Sequence, residues 1–252
     1  MTALARSVPI RGRTTSLRAT ALAGGVLYLI TFAASIPAAA YFLVPIISDP
    51  GYIVCAGADT RVLIGCALDI VNALAAIGTA VVLFPVVKRQ SESLAVGFVA
   101  SRILEAAIIF VGIVSLVAVV TLRQDLGTAT DADAGSLMTV GAALLAVRDA
   151  TFLFGPGLAS ANALLLGTLM YRSRLVPRWI PLMGLIGAPL LLAANTATLF
   201  GVNEQSSLLS SLSLPGIFFW ELSLGLYLTI KGFRPSPITA DLVEPATAQV
   251  TR

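Results

Sequence analysis

The chain has 252 residues, 57% of them hydrophobic and only 12% charged, with a net charge of +3. Soluble domains run nearer ~45–50% apolar and ~25% charged, so a soluble globular fold of this size is excluded. The sequence contains no histidine and only two cysteines, Cys55 and Cys66. That removes imidazole relays and the usual zinc ligand sets, so no metal or other cofactor is expected.

Six stretches meet the ~20 apolar residues that a helix needs to cross a bilayer. A basic N-terminus, residues 1–18, carries Arg6, Arg11, Arg13 and Arg18 and leads into a first span over Ala19–Ile47. Ala38-Ala39-Ala40 resembles a secretory cleavage site, but the run far exceeds the 7–15 apolar residues of a signal. The second span, Val62–Val87, contains Asp69 and Asn72. Cys66 lies near its outer end and Cys55 in the loop before it, on an oxidising side where a disulfide between them is open. Lys88-Arg89 separates it from a third span, Leu94–Leu122, holding Arg102 and Glu105.

The fourth span, Gly141–Tyr171, carries Arg148-Asp149 and Phe152 and is interrupted by Gly155-Pro156-Gly157. Proline removes a backbone donor there and glycine loosens the helix. From Met138 to Tyr171 would be ~50 Å of helix against a ~30 Å hydrocarbon core. Two outcomes are expected: an outer half-helix kinked before a span starting near Phe154, or one long tilted helix. Trp179–Phe200 and Leu208–Ile230 complete the set, the last carrying Trp220-Glu221. Residues 234–252, rich in Pro, Thr and Ala, read as a disordered cytoplasmic tail. The fold class is all-α: a polytopic six-helix transmembrane bundle over residues 19–233, with a Gly-Pro-Gly break in the fourth span.

With the N-terminus in the cytoplasm, almost all Lys and Arg outside the spans fall on the inner side, and only Arg61 and Arg123 fall outside. This asymmetry obeys the positive-inside rule, so both termini are expected in the cytoplasm. The positive net charge thus serves topology; no nucleic-acid partner is expected, and membrane lipids are. Tyr171 and Trp179 at the inner interface and Tyr52 at the outer one read as aromatic anchors. Asn195, Thr196 and Thr198 read more simply as bonding their own helix than as lining a cavity.

Asp69, Arg102, Glu105, Arg148, Asp149 and Glu221 fall inside the spans, where a charge costs at least ~2.5–3.5 kcal/mol and must face protein or water. Arg102 and Glu105, three apart, share a helical face, and Glu221 lies at matching depth near the midplane. Nearer the outside, Asp69 and Arg148 are at similar depth, with Asn72 and Asp149 close. Four acids face two arginines, so two carboxyls lack a cationic partner of their own. Such groups suit proton donation, proton carriage or hydrogen bonding to a ligand.

Arg102-Ile103-Leu104-Glu105-Ala106, Arg148-Asp149-Ala150, Phe154-Gly155-Pro156-Gly157, Tyr171 through Trp179, Trp220-Glu221 and Lys231-Gly232-Phe233 together resemble a bacterial membrane family known as domain-of-unknown-function family 4386. The resemblance covers about residues 18–234 and implies a small multi-span protein of the bacterial inner membrane. It implies no substrate and no reaction.

The residues themselves point to three classes of function. The first is an intramembrane enzyme using buried carboxyls for protonation, isomerisation or cyclisation of a lipophilic isoprenoid- or sterol-like molecule. Glu105, Glu221 and Asp149 are then the catalytic acids around one apolar cavity. Asp69, Asn72, Arg102, Arg148, Phe152 and Trp220 would hold the substrate. The spans contain no Asp-rich diphosphate motif and no nucleophile motif. The second is a non-catalytic membrane partner or sensor whose charges are helix latches. The third is a proton-coupled carrier.

Overall fold

The computed structural model describes residues 11–47, 52–53, 59–126, 131–204 and 207–243. Long apolar runs in hydrocarbon leave a backbone no partner but itself, and helix is the result. α1 (Arg11–Pro37) continues through a π-helical turn (Ala38–Leu43) into α2 (Val44–Ile47). Then follow α3 (Asp59–Val87), α4 (Glu92–Leu126), α5 (Asp131–Ser173), α6 (Trp179–Leu199), α7 (Leu208–Ile230), a 3₁₀ turn (Pro237–Thr239) and α8 (Ala240–Val243). There is no strand among the described residues. Six helices, α1 with its π turn, α3, α4, α5, α6 and α7, are long and apolar enough to cross a membrane. The protein is of the multi-pass membrane type.

Each of these helices packs on its neighbour in sequence, and α1 closes against α7. The bundle is therefore a closed ring of six in which α4 and α7 stand opposite each other. Glycine permits the closest crossings. A Cβ at Gly25 on α1 would lie 2.7 Å from the Gly225 carbonyl oxygen on α7, and one at Gly187 on α6 would lie 2.8 Å from Gly216 Cα. Small residues let backbones approach where lipid supplies no hydrophobic drive. Arg18 secures the α1–α7 seam by donating to the Leu228, Thr229 and Ile230 carbonyls at 3.1, 2.8 and 3.2 Å. These belong to the last turn of α7, which has no intrahelical donors left for them.

The apolar interior has two parts. The larger, around Leu83, Phe98, Leu166, Met170, Trp220 and Leu224, fills the basic half of the ring. The smaller, around Leu43, Tyr52, Val62 and Leu116, fills the other half.

α5 is one bent helix rather than two, running 43 residues through Gly155-Pro156-Gly157. Pro156 offers no N–H to the Phe152 carbonyl, which is the local reason for the bend. A Cβ at Gly155 or Gly157 would meet nothing within 4 Å, so neither glycine serves a close helix contact.

Of the stretch expected to be a disordered tail, residues 234–243 are described and residues 244–252 lie outside the described residues. The Arg234 N–H donates to the Leu175 carbonyl at 2.8 Å and Ser236 Oγ to the Ser173 carbonyl at 2.5 Å. Arg89 donates to the Ile238 carbonyl at 2.6 Å and pairs with Asp241 at 2.5 Å. Composition concealed this strap because single hydrogen bonds to the end of α5 hold it, not a periodic apolar face. The pairing of Cys55 with Cys66 falls outside the described residues, since Cys55 is not among them. Cys66 itself is buried.

Candidate functional site

On α4, Arg102 and Glu105 are three residues apart and project from one face. That face looks across the ring. Arg102 Nη1 donates to Glu105 Oε2 at 2.9 Å, while Nη2 donates to Glu221 Oε1 at 2.5 Å and to Tyr28 Oη at 3.1 Å. Asn162 Nδ2 donates to the same Glu105 Oε2 at 2.6 Å. One guanidinium thus joins α4 to α1 and α7 directly, and to α5 through Glu105. Its plane also lies over the Tyr28 and Phe98 rings, at 5.2 and 5.9 Å. Arg102, Glu105, Asn162 and Glu221 sit ~14–20 Å along their helices from the basic end, and Tyr28 ~18 Å from Ser16, where the membrane-type part of α1 starts, all at mid-membrane depth at ~1.5 Å per residue.

Two features give this cluster chemical potential. It holds two carboxyls and one cation, so an added proton or a cationic ligand group is needed for neutrality. The guanidinium is also sealed while the acids are not: side-chain exposure is 4% for Arg102 but 14% for Glu105 and 16% for Glu221.

A second cluster lies further toward the other end. Arg148 on α5 donates to Asp69 Oδ2 on α3 at 3.3 Å and to Thr151 Oγ1 at 2.9 Å, and stacks over Phe152 at 4.0 Å. To reach α3 it passes over α4 at Gly112, where a Cβ would lie 2.9 Å from Thr151 Oγ1 and 3.1 Å from Arg148 Cδ. Gly112→Val is therefore expected to displace Arg148 and destabilise the bundle by about 1–3 kcal/mol, the usual cost of overpacking. Thermal unfolding in detergent measures this, and an unchanged midpoint would contradict it. Asn72, one turn along α3, is half-buried and makes no hydrogen bond to Asp69 among the described residues.

Asp149 stands apart from the other two acids. The sequence places it with Glu105 and Glu221 around one cavity, yet it is exposed on α5 while Arg148 beside it is buried. Successive helical residues point ~100° apart, so the two cannot both face inward. The expected cavity also differs. An apolar groove of about 310 Å³ opens beside the Gly-Pro-Gly bend, lined by Leu104, Ile108, Leu153, Leu158, Asn195 and Thr196 among others, and neither Glu105, Glu221 nor Asp149 lines it. Leu104 precedes Glu105 in the chain and Leu158 is one turn along α5 from Asn162, so the groove lies at a similar level of α4 and α5 but on a different face from the acid cluster. Trp220, expected to hold substrate, is fully buried and packs over Gly184.

Tyr52 also departs from expectation. It is 3% exposed rather than an interfacial anchor, and lies 4.2 Å beneath the Arg123 guanidinium, which pairs with Asp59 at 2.8 Å. Burial pushes its hydroxyl up to about 12, against the opposing pull of Arg123.

Sequence reasoning missed Tyr28 and Asn162. Both are polar groups within long apolar runs, a faint signal that ionisable neighbours overshadowed.

No match was found among curated proteins or among solved structures. The family model for Domain of unknown function (DUF4386) matches residues 23–232, a stretch that contains Tyr28, Arg102, Glu105, Asn162 and Glu221 as well as the Arg148–Asp69 pair. A match over so much of the chain places the protein in that family, and it is a DUF4386 protein.

Proposed function

We propose that this protein carries out proton transfer in the membrane plane on a lipophilic small molecule of isoprenoid or sterol-like character, by protonation, isomerisation or cyclisation. Glu105 and Glu221 are the acid–base pair, and Arg102 orients them and balances one of their charges. The observation that carries this reading is the shared guanidinium: two partly accessible carboxyls divide one sealed cation, so the site holds a transferable proton. The apolar groove at a similar level beside the bend of α5 is a place where an apolar molecule can rest against the bundle. Asp149, exposed on α5, takes no part.

The test works without an identified substrate. Nanodiscs containing the protein are incubated with a bacterial apolar lipid extract in deuterated buffer, and the extract is searched for new carbon-bound deuterium. Wild type is expected to label at least one lipophilic compound, and Glu105→Gln and Glu221→Gln to label none while melting at the wild-type temperature. No labelling by wild type, or loss only in step with stability, overturns the assignment.

A second reading is favoured by the four helices that meet at Arg102: the cluster is a latch, and the protein a non-catalytic partner or sensor. It predicts lowered stability in any variant that leaves the cluster unbalanced, without loss of chemistry.

Loop basicity supports the bacterial inner membrane with both termini in the cytoplasm. A phosphatase reporter fused after Arg252 is expected to be inactive and a fluorescent reporter active. The reverse pattern would invert the topology.

A further inference from the structure

The basic end of the bundle carries more guanidinium groups than its own acceptors occupy. Arg18 is taken up by three carbonyls of α7, and Arg89 by Ile238 and Asp241. Arg174, Arg178 and Arg234 differ. They line one pocket of about 360 Å³ with Val176 and Pro235, and among the described residues none of them pairs with a carboxylate. Arg178 stacks on the Tyr171 ring at 4.9 Å, an arrangement that keeps the N–H edge of its plane available to an acceptor.

Backbone, not acid pairing, brings the three together. The connection between α5 and α6 supplies Arg174 and Arg178, and the strap after α7 supplies Arg234. The strap is fixed to that connection by the Arg234 N–H on the Leu175 carbonyl and by Ser236 Oγ on the Ser173 carbonyl. Arg174 adopts φ 57°, a left-handed conformation disfavoured for any residue with a Cβ. Three like charges on a strained connection repel one another, and an anion between them removes the repulsion. Trp179, 58% exposed at the first turn of α6, sets the depth of the pocket, because exposed indoles settle at the headgroup level of a bilayer.

We propose that Arg174, Arg178 and Arg234 form a binding site for the phosphate headgroup of an anionic membrane lipid. Guanidinium forks match phosphate oxygens bidentately, and the charge assistance makes such bonds stronger than neutral ones. A soluble phosphate would use the same donors. The interfacial level marked by Trp179 favours the lipid. The site is independent of the acid pair.

The test uses the full chain in nanodiscs of mixed phosphatidylglycerol and phosphatidylcholine, with retained lipid read by native mass spectrometry. Wild type is expected to keep phosphatidylglycerol selectively. The double variant R174Q/R234Q, which removes two of the three guanidinium forks, is expected to keep at least about tenfold less. R172Q, on the exposed last turn of α5 and outside the pocket, is expected to match wild type. Should the Gln variant fail to fold, R174K/R234K keeps the charges without the forks and is expected to retain several-fold less than wild type. Equal retention of the two lipids, loss in R172Q as large as in the double variant, or full retention by R174K/R234K overturns the site. Displacement of the retained lipid by millimolar inorganic phosphate overturns the lipid assignment in favour of a soluble anion.

Discussion

Replacing Arg102 with methionine is expected to destabilise the bundle by about 3–5 kcal/mol, the cost of leaving a buried charge without its partner. Methionine approximates the arginine stem and fills its space, so the loss is electrostatic rather than a cavity. Two carboxyls, Glu105 and Glu221, lose their common donor at once, and Tyr28 loses its bond. The single acids behave differently. Removing either Glu105 or Glu221 leaves Arg102 with one carboxylate, a balanced pair, so neither Gln variant is expected to melt early. Removing both leaves Arg102 alone, and E105Q/E221Q is expected to fall with R102M. The triple variant R102M/E105Q/E221Q, with no charge left, is expected to recover most of the loss. Thermal unfolding of the five proteins in one detergent gives the ordering. A triple variant no more stable than R102M would show that Arg102 contributes through packing.

Gly187→Leu is expected to prevent α6 and α7 from seating. The new Cβ would lie 2.8 Å from both Cα and the carbonyl carbon of Gly216, and backbone atoms cannot rotate aside as a side chain does. Overpacking of rotatable neighbours costs about 1–3 kcal/mol, and a backbone-on-backbone clash belongs at or above the top of that range. The bend in α5 predicts the opposite sign. Gly155→Ala and Gly157→Ala place a methyl group in open space within a helix, and each is expected to stabilise by about 0.5–1 kcal/mol. Destabilisation by either alanine would mean that the bend depends on glycine rather than on Pro156 alone. Stabilisation with loss of proton transfer would tie the mobility of the bend to function.

The fold was legible in the sequence because a bilayer leaves few options: uncharged runs of sufficient length become helices, and the ends of the runs set the depth of every residue. Depth and spacing together suffice to bring Arg102, Glu105 and Glu221 to one level. Depth without azimuth is where the reading stopped. Asp149 is at the level of Arg148 but one step around the helix, and which of two adjacent residues faces inward depends on Gly112 of α4 and Asp69 of α3, from elsewhere in the chain. Tyr28 and Asn162 add neutral donors and acceptors whose partners lie 74 and 57 residues away in the chain, at separations no local pattern records. The strap from Arg234 to Val243 is held by carbonyls at the end of α5, and a composition rich in proline and threonine says nothing of those.

The seam of the ring joins α1 to α7, the earliest and latest of the six membrane-type helices in chain order. Arg102 and Glu105 enter the membrane on the same turn of one helix and neutralise each other from the start, and Asn162 follows with α5. Glu221 arrives only with α7, when α1 has waited with Tyr28 on an open edge. The second carboxyl, the one that puts the cluster out of balance, is thus delivered last. A chain cut short before α7 would hold a neutral pair in an unclosed arc of five helices, an exposed edge of the kind that quality-control proteases and chaperones engage. The charge balance of the cluster is therefore settled only when α7 joins the other helices.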